Sequence, residues 1–188
     1  AIMDLLKDKL EMNKQNQVNF IFRAMVMGVP NSGKSTIVNN LCGKSRAVTG
    51  DKAGVTRSVQ WVKVNNTLQI MDTPGTLWPS FEDEDLAYQL AYIGSIKDDV
   101  LNINEVAGKL AVKLTNIKSK FTEYYKLTLT REYDLTNDED WIELLGLVAR
   151  KRGCVLRGNE IDYERVSTLI LNDFRKGALG RITFSLPD

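Results

Sequence analysis

Eight residues constrain this chain more than any others: Gly28-Val29-Pro30-Asn31-Ser32-Gly33-Lys34-Ser35 has the spacing G-x-x-x-x-G-K-[ST]. That spacing takes its meaning from what flanks it. Residues 20–27 are apolar apart from Arg23, the pattern of a buried strand. Residues 35–41, closed by Gly43, read as a helix with a glycine stop. A glycine-rich turn between a strand and a helix points the backbone N–H groups of the turn and of the helix start toward one place, where phosphate oxygens satisfy them. Lys34 adds a positive charge for the outer phosphates of a nucleoside triphosphate, and Ser35 offers a hydroxyl to Mg²⁺. The predicted nucleotide-binding residues are therefore Pro30, Asn31, Ser32, Gly33, Lys34, Ser35 and Thr36. A glycine-rich turn with an exposed lysine is the blander reading, and the flanking strand and helix weigh against it.

Two further elements stand in the order such a loop requires. Residues 59–64 and 67–71 flank Asn65-Asn66, a pair that tolerates positive φ, so the pattern predicts an antiparallel hairpin with a two-residue turn. Asp72-Thr73-Pro74-Gly75 ends the second strand, where Asp72 can hold a Mg²⁺-bound water and the Gly75 amide can sense the terminal phosphate. Ahead of the hairpin, Gly54-Val55-Thr56 places a hydroxyl on a polar loop, where it can complete the Mg²⁺ shell. Singly, each is an ordinary turn or loop composition. In order and together they predict Ser35, Thr56 and Asp72 as Mg²⁺ residues, and Lys34, Thr56 and Gly75 as the residues acting in catalysis.

This set resembles the first three motifs of the translation-factor-like GTPases, with residues 28–35 as G1, Thr56 as G2 and residues 72–75 as G3. An ordinary member next carries Asn-Lys-x-Asp for the guanine base. None follows Gly75, and the Asn13-Lys14 pair is followed by Gln15-Asn16 in a polar stretch with no apolar strand before it. Either the protein does not select guanine, or the motif lies upstream in a circularly permuted G domain. The surrounding residues favour the second. Gly28 to Thr36, Asp72-Thr73-Pro74-Gly75-Thr76-Leu77-Trp78-Pro79 with Phe81-Glu82-Asp83, and Lys151-Arg152-Gly153-Cys154 with Leu179-Gly180-Arg181-Ile182-Thr183-Phe184 together resemble the ribosome biogenesis GTPase A family. These are permuted GTPases that act in assembly of the large ribosomal subunit, and the resemblance runs from Ala24 to the C-terminus.

The resemblance implies GTP and GDP as ligands and base-reading motifs in residues before Ala1; the opening on Ala1 rather than Met itself suggests a fragment. It also implies that Asn31 helps place K⁺ near the phosphates, although an asparagine suits this turn on conformational grounds alone. Many GTPases orient the attacking water with a glutamine after the G3 glycine; here that position is Thr76, which is too short. Little or no hydrolysis by this chain alone is expected. The segments 47–57 and 76–86 flank the site as the expected switches, with Trp78 and Phe81 available either to the switch or to packing between domains.

From residue 85 onward strand signals fade and helices take over. Residues 105–121 put Val106, Leu110, Leu114 and Ile117 on one face with Asn104 as N-cap. Asn137 caps a helix that runs from Asp138-Glu139-Asp140 to Arg150-Lys151-Arg152 and stops at Gly153, with charges complementing the dipole at both ends. Asp162 caps a last helix with Val166, Leu169, Ile170 and Phe174 inward, ended by Gly177. At the other terminus, residues 4–10 read as a short amphipathic helix with Ile2, Leu5, Leu6 and Leu10 at helical spacing, followed by a polar linker at 13–17. The expected architecture is α/β: a partial P-loop GTPase domain with a mixed sheet over residues 1–90, then a C-terminal α-helical domain over 91–188.

Charge in the helical half is segregated. Residues 132–143 hold six acidic side chains and no basic one, whereas Arg150, Lys151, Arg152, Arg157, Arg175, Lys176 and Arg181 crowd the end of the chain. Such a cluster suits RNA phosphates, and it equally suits a solvated surface with dipole-complementing helix ends. The family resemblance implies that it docks on ribosomal RNA of the large-subunit precursor, and that the protein is monomeric off the ribosome. The net charge of +1, from 25 Lys and Arg against 24 Asp and Glu, rules out a globally basic nucleic-acid binder. The absence of histidine excludes His-based catalysis and His metal ligation within the chain. Two cysteines, Cys42 and Cys154, without C-x-x-C spacing argue for a reducing, cytoplasmic setting and against a zinc site. Neither a membrane span nor a leader is read in the sequence. Two other readings compete: a nucleotide-independent RNA-binding or scaffold fragment whose sheet keeps an exposed edge, and an ATP-using P-loop protein.

Overall fold

The computed structural model describes residues 4, 7–15, 21–43, 58–77, 83–98, 100–117 and 119–184. The chain divides into two compact units, Ala1–Leu77 and Trp78–Asp188.

The first unit is a small mixed sheet carrying one helix on a face. Strand β1 (Phe22–Val26) leads through the glycine loop into α2 (Lys34–Cys42), and β2 (Gln60–Lys63) and β3 (Leu68–Asp72) form the expected hairpin. Helix α1 (Lys7–Gln15) precedes them, extending further into the polar stretch than the sequence suggested. Ile2, Leu5 and Leu6 lie outside the described residues. The strand order is β1-β3-β2, with β1 parallel and β2 antiparallel to β3. Side chains of period two sort by face: Val62, Leu68 and Ile70 are buried against Val38 of α2, with Phe22, Ala24 and Val26 partly buried beside them. On the other face Met25 and Trp61 are each 50% exposed, and Arg23 lies over the Trp61 ring at 5.3 Å.

The register positions the loops. Val26 stands beside Asp72 in the parallel pair, and Gln60 beside Asp72 in the antiparallel one. The segments after β1 and β3 therefore leave the same end of the sheet, where parallel α/β sheets bind their ligands. Thr73 Oγ1 locks them by donating to the Val26 carbonyl at 2.7 Å. The hairpin turn differs from expectation, since neither Asn65 nor Asn66 has positive φ. Asn65 Oδ1 instead accepts from the backbone N and the Oγ1 of Thr67 at 2.8 and 2.9 Å, so a side chain does the work of a primed turn.

The second unit is helical: α3 (Glu84–Tyr92), α4 (Ile103–Asn116), α5 (Phe121–Tyr125), α6 (Asp138–Arg152) and α7 (Tyr163–Arg175). Leu110, Ala111 and Leu114 of α4, Leu144, Leu145 and Val148 of α6, and Val166 and Ile170 of α7 form one buried core. The expected boundary at residue 90 falls inside α3, whose Leu90, Ala91 and Tyr92 are buried; the compact units separate at Leu77 and Trp78. Gly108 brings α4 and α6 together: a Cβ there would lie 2.5 Å from Trp141 Cε3 and 2.8 Å from its Cβ, so the close approach needs a residue without a side chain.

Caps explain most helix ends. Asn137 and Asp162 accept from the first-turn N–H groups of α6 and α7 as expected, and Gly153, at φ 68°, stops α6. The start of α4 is a correction: Asn102, not Asn104, is its cap, accepting from the N–H groups of Asn104 and Glu105. The helix ends at Asn116, so Ile117 is outside the apolar stripe and Phe121 opens α5 instead. Among the described residues no helix is long and apolar enough to cross a membrane.

Candidate functional site

The loop between β1 and α2 holds a strained, preorganised backbone. Gly33, the N-cap of α2, sits at φ 82° and Asn31 at φ 56°, a left-handed conformation in which asparagine is favoured among non-glycine residues. Asp83, Asn102, Asn137 and Asp162 cap α3, α4, α6 and α7 with side-chain oxygens, whereas no side chain caps α2 and its first turn carries no acid. The positive end of this helix therefore has no side-chain cap and no first-turn carboxylate, the setting in which an anion is favoured.

Lys34 is only 8% exposed, and its ammonium donates to the carbonyls of Gly28 at 3.1 Å and Val29 at 2.7 Å. Burial holds its pKa below the ordinary value for a lysine, with the Asp72 carboxylate opposing that shift. Ser32 Oγ donates to the Val29 carbonyl at 2.8 Å, while Thr36 is exposed in the first turn of α2. Ser35 Oγ donates to Asp72 Oδ2 at 2.8 Å, so the hydroxyl and carboxylate predicted to share a cation lie together across 37 residues of sequence.

Asp72 is fully buried, and its Oδ1 has no hydrogen-bond partner. A buried carboxylate oxygen without a donor is costly unless a cation or a cation-bound water satisfies it. The residues fit Mg²⁺ on that ground: one hydroxyl and one carboxylate suit an ion that takes its remaining ligands from water and substrate phosphates. Among the described residues there is no group of three or more His, Cys, Asp or Glu that would hold a metal without such help. Gln60, which the sequence reading passed over, has its Nε2 3.5 Å from Asp72 Oδ2. Its signal is the hairpin register, which sets Gln60 opposite Asp72.

Gly75 is brought against the glycine loop. A Cβ at Gly75 would lie 2.4 Å from both Cα and N of Pro30, and the Thr76 N–H donates to the Gly28 carbonyl at 3.3 Å. The structure therefore assembles Pro30, Asn31, Ser32, Gly33, Lys34, Ser35, Asp72 and Gly75 at one end of the sheet. Thr56, with the rest of segment 47–57, lies outside the described residues, as do Trp78 and Phe81.

The predicted cation cluster is sorted differently. Arg150, Lys151, Arg152, Arg157, Lys176 and Arg181 are exposed. Arg175 departs from the expectation: its guanidinium donates to both carboxylate oxygens of Asp98 at 2.6 and 3.0 Å and to the carbonyls of Ala91 and Tyr92 at 2.9 and 3.1 Å. It clamps the end of α3 to α7 and has one donor left for anything else.

The chain is similar to several known proteins. The profile of the 50S ribosome-binding GTPases matches residues 23–145. Ribosome biogenesis GTPase A of Priestia megaterium is 40% identical over 187 residues, which are 98% of this chain and 62% of that protein. The protein of that name from Thermotoga maritima is 34% identical over 169 residues, 88% of this chain and 57% of its own length. Among solved structures, GNP-bound YlqF from T. maritima aligns with a TM-score of 0.57 at 28% identity, covering 92% of this chain and 63% of that one. GDP-bound YlqF aligns at 0.55 and 30% identity, covering 94% and 65%. The chain thus spans less than two thirds of the length of these relatives.

Proposed function

The chain belongs to the family of 50S ribosome-binding GTPases, and from that premise we propose that it binds GTP and GDP at residues 28–35 and serves as a nucleotide-switched factor in large ribosomal subunit assembly. The relatives it resembles over most of its length carry the name ribosome biogenesis GTPase A. The observation that carries the nucleotide part is the pair Ser35–Asp72, at 2.8 Å, beside a buried Lys34 and with Asp72 Oδ1 unpartnered.

In this reading the N–H groups of residues 31–36 bind phosphate oxygens, with Pro30 shaping the turn. Lys34 exchanges its carbonyl partners for the outer phosphates, whose negative charge offsets the hydration that burial removes. Ser35, Asp72 and Thr56 hold Mg²⁺, which supplies charge neutralisation to the phosphates when bound. Gly75, pinned against Pro30, offers its amide to the terminal phosphate, and Asn31 helps place K⁺. The first unit is the G1 to G3 part of a permuted GTPase domain, with guanine preference implied by family membership. Because Thr76 cannot orient water as a glutamine does, hydrolysis by this chain is slow. The helical unit docks on pre-ribosomal RNA through its exposed cations, in the cytoplasm and as a monomer off the ribosome. Segments 47–57 and 76–86 relay the nucleotide state, and equal affinity of the di- and triphosphate forms for the pre-ribosomal particle would sink that relay.

The test is calorimetric titration of GTP, GDP and ATP with and without Mg²⁺, on the chain as given and on Asp72→Asn. Guanine nucleotides are expected to bind with a Mg²⁺-dependent increment, and Asp72→Asn to lower metal-dependent affinity by about tenfold or more. Equal binding of ATP and GTP would instead support an ATP-using protein, and no binding of either a nucleotide-independent scaffold. Replacing K⁺ by Na⁺ in the same titration examines Asn31.

A further inference from the structure

Helix α5 has no counterpart in the periodicity of the sequence, yet it carries a side chain that internal packing leaves outside. Tyr124 is 37% exposed. Arg152, the last residue of α6, sets its guanidinium carbon 4.7 Å from the centre of the Tyr124 ring and 5.0 Å from that of Tyr125, and donates to the Tyr124 carbonyl at 3.4 Å. Tyr125 backs this pair from within: it meets Tyr124 edge-on at 5.0 Å, is itself buried, and donates its hydroxyl to Asp173 at 2.8 Å. An exposed ring and a planar cation are therefore held in place before any partner arrives.

The charges around them are unanswered. Lys126 ends α5 in a left-handed conformation at φ 54° and is exposed, and Lys151 is exposed one residue before Arg152. The Lys120 N–H, at the other end of α5, donates to the Leu179 carbonyl at 2.9 Å, and Arg181, two residues further along, is exposed. None of Lys126, Lys151, Arg152 or Arg181 makes an ion pair among the described residues. Glu123 of α5 is exposed, and Asp173 is already bonded to Tyr125.

We infer that Tyr124 and Arg152 form a stacking platform for an unpaired base of RNA, with Lys126 and Lys151 receiving the phosphates beside it. This rests on the RNA-docking reading above and adds the kind of RNA: a single-stranded loop, bulge or end rather than a duplex, because only an unstacked base presents its face to an aromatic ring. Stacking on Tyr and on a guanidinium plane tolerates any base, while the flanking cations follow the backbone. An acidic peptide would use the cations but give the exposed ring no role.

The experiment measures binding of the full chain to a short oligoadenylate RNA, an abasic oligonucleotide of equal length and an RNA duplex over a series of salt concentrations. Tyr124→Leu, which keeps apolar cover for Arg152, is expected to weaken oligoadenylate binding about tenfold at every salt concentration while leaving the slope and the abasic strand unaffected. Tyr124→Phe should bind as the unaltered chain. Arg152→Lys, which keeps the charge and removes the plane, should reproduce the loss with the sequence of α5 unaltered. Lys151→Gln should instead reduce the salt slope by about 0.7. If Tyr124→Leu binds oligoadenylate normally, or loses the abasic strand equally, the platform is overturned while docking on RNA stands. If the unaltered chain binds none of the three probes, both are overturned.

Discussion

Asp72 ties the end of a strand to the start of the helix beside it. Its carboxylate is buried at the end of β3, holds Ser35 Oγ, and leaves one oxygen without a donor. Lys34 and Ser35 were legible because the motif that contains them is contiguous and its geometry local. Gln60 was not, because its place beside Asp72 depends on how β2 registers on β3. Gly75 had a readable role, but the severity of its constraint was not readable: the obstacle to a Cβ is the Pro30 backbone, which cannot swing aside as a side chain would. Gly75→Ala should therefore destabilise the first unit by about 1–3 kcal/mol, the usual cost of overpacking, and weaken nucleotide binding. Thermal unfolding and titration check this together, and an unchanged melting temperature would mean that the two loops part freely.

At the scale of elements, helices with both ends written in the sequence were read correctly. α6 has Asn137 before it and Gly153 after it, and α2 has its glycine stop. The sequence suggests Asn104 as the cap of α4, and only the chain path decides that the Asn102 side chain accepts from the first-turn N–H groups instead. The two therefore differ in expected sign. Asn102→Ala removes a cap that satisfies two N–H groups and should cost about 1 kcal/mol. Asn104→Ala removes a buried, unpartnered Oδ1 and should be neutral or stabilising. Chemical denaturation of both variants decides it, and a larger loss for Asn104→Ala would restore the sequence assignment. α3 and α5 escaped notice for different reasons. The cap of α3, Asp83, sits in a segment read as a switch, so residues 84–86 are a first helical turn as well as the switch's end. α5 has five residues, too few to establish a period.

For the whole molecule, the division at Leu77 and Trp78 gives each unit its own buried cluster. A unit with its own core can fold alone. Residues 78–188 made separately are expected to give a cooperative helical unfolding transition, followed by circular dichroism, that GTP and Mg²⁺ leave unchanged. In the full chain, ligand at 100 times its dissociation constant should stabilise the first unit by about 2.7 kcal/mol. A fragment that stays unfolded would mean that the second core needs the first. The sequence by itself determined the glycine-loop motif, the α/β-then-α order and the family, because motifs, caps and periodic stripes are written in contiguous residues. Only the tertiary structure decided which asparagine caps α4, which glutamine meets Asp72, that Arg175 turns inward to Asp98, and that Tyr124 and Arg152 meet on the surface. Each of these pairs residues through strand register or helix packing, and their energies depend on distances that spacing along the chain does not set.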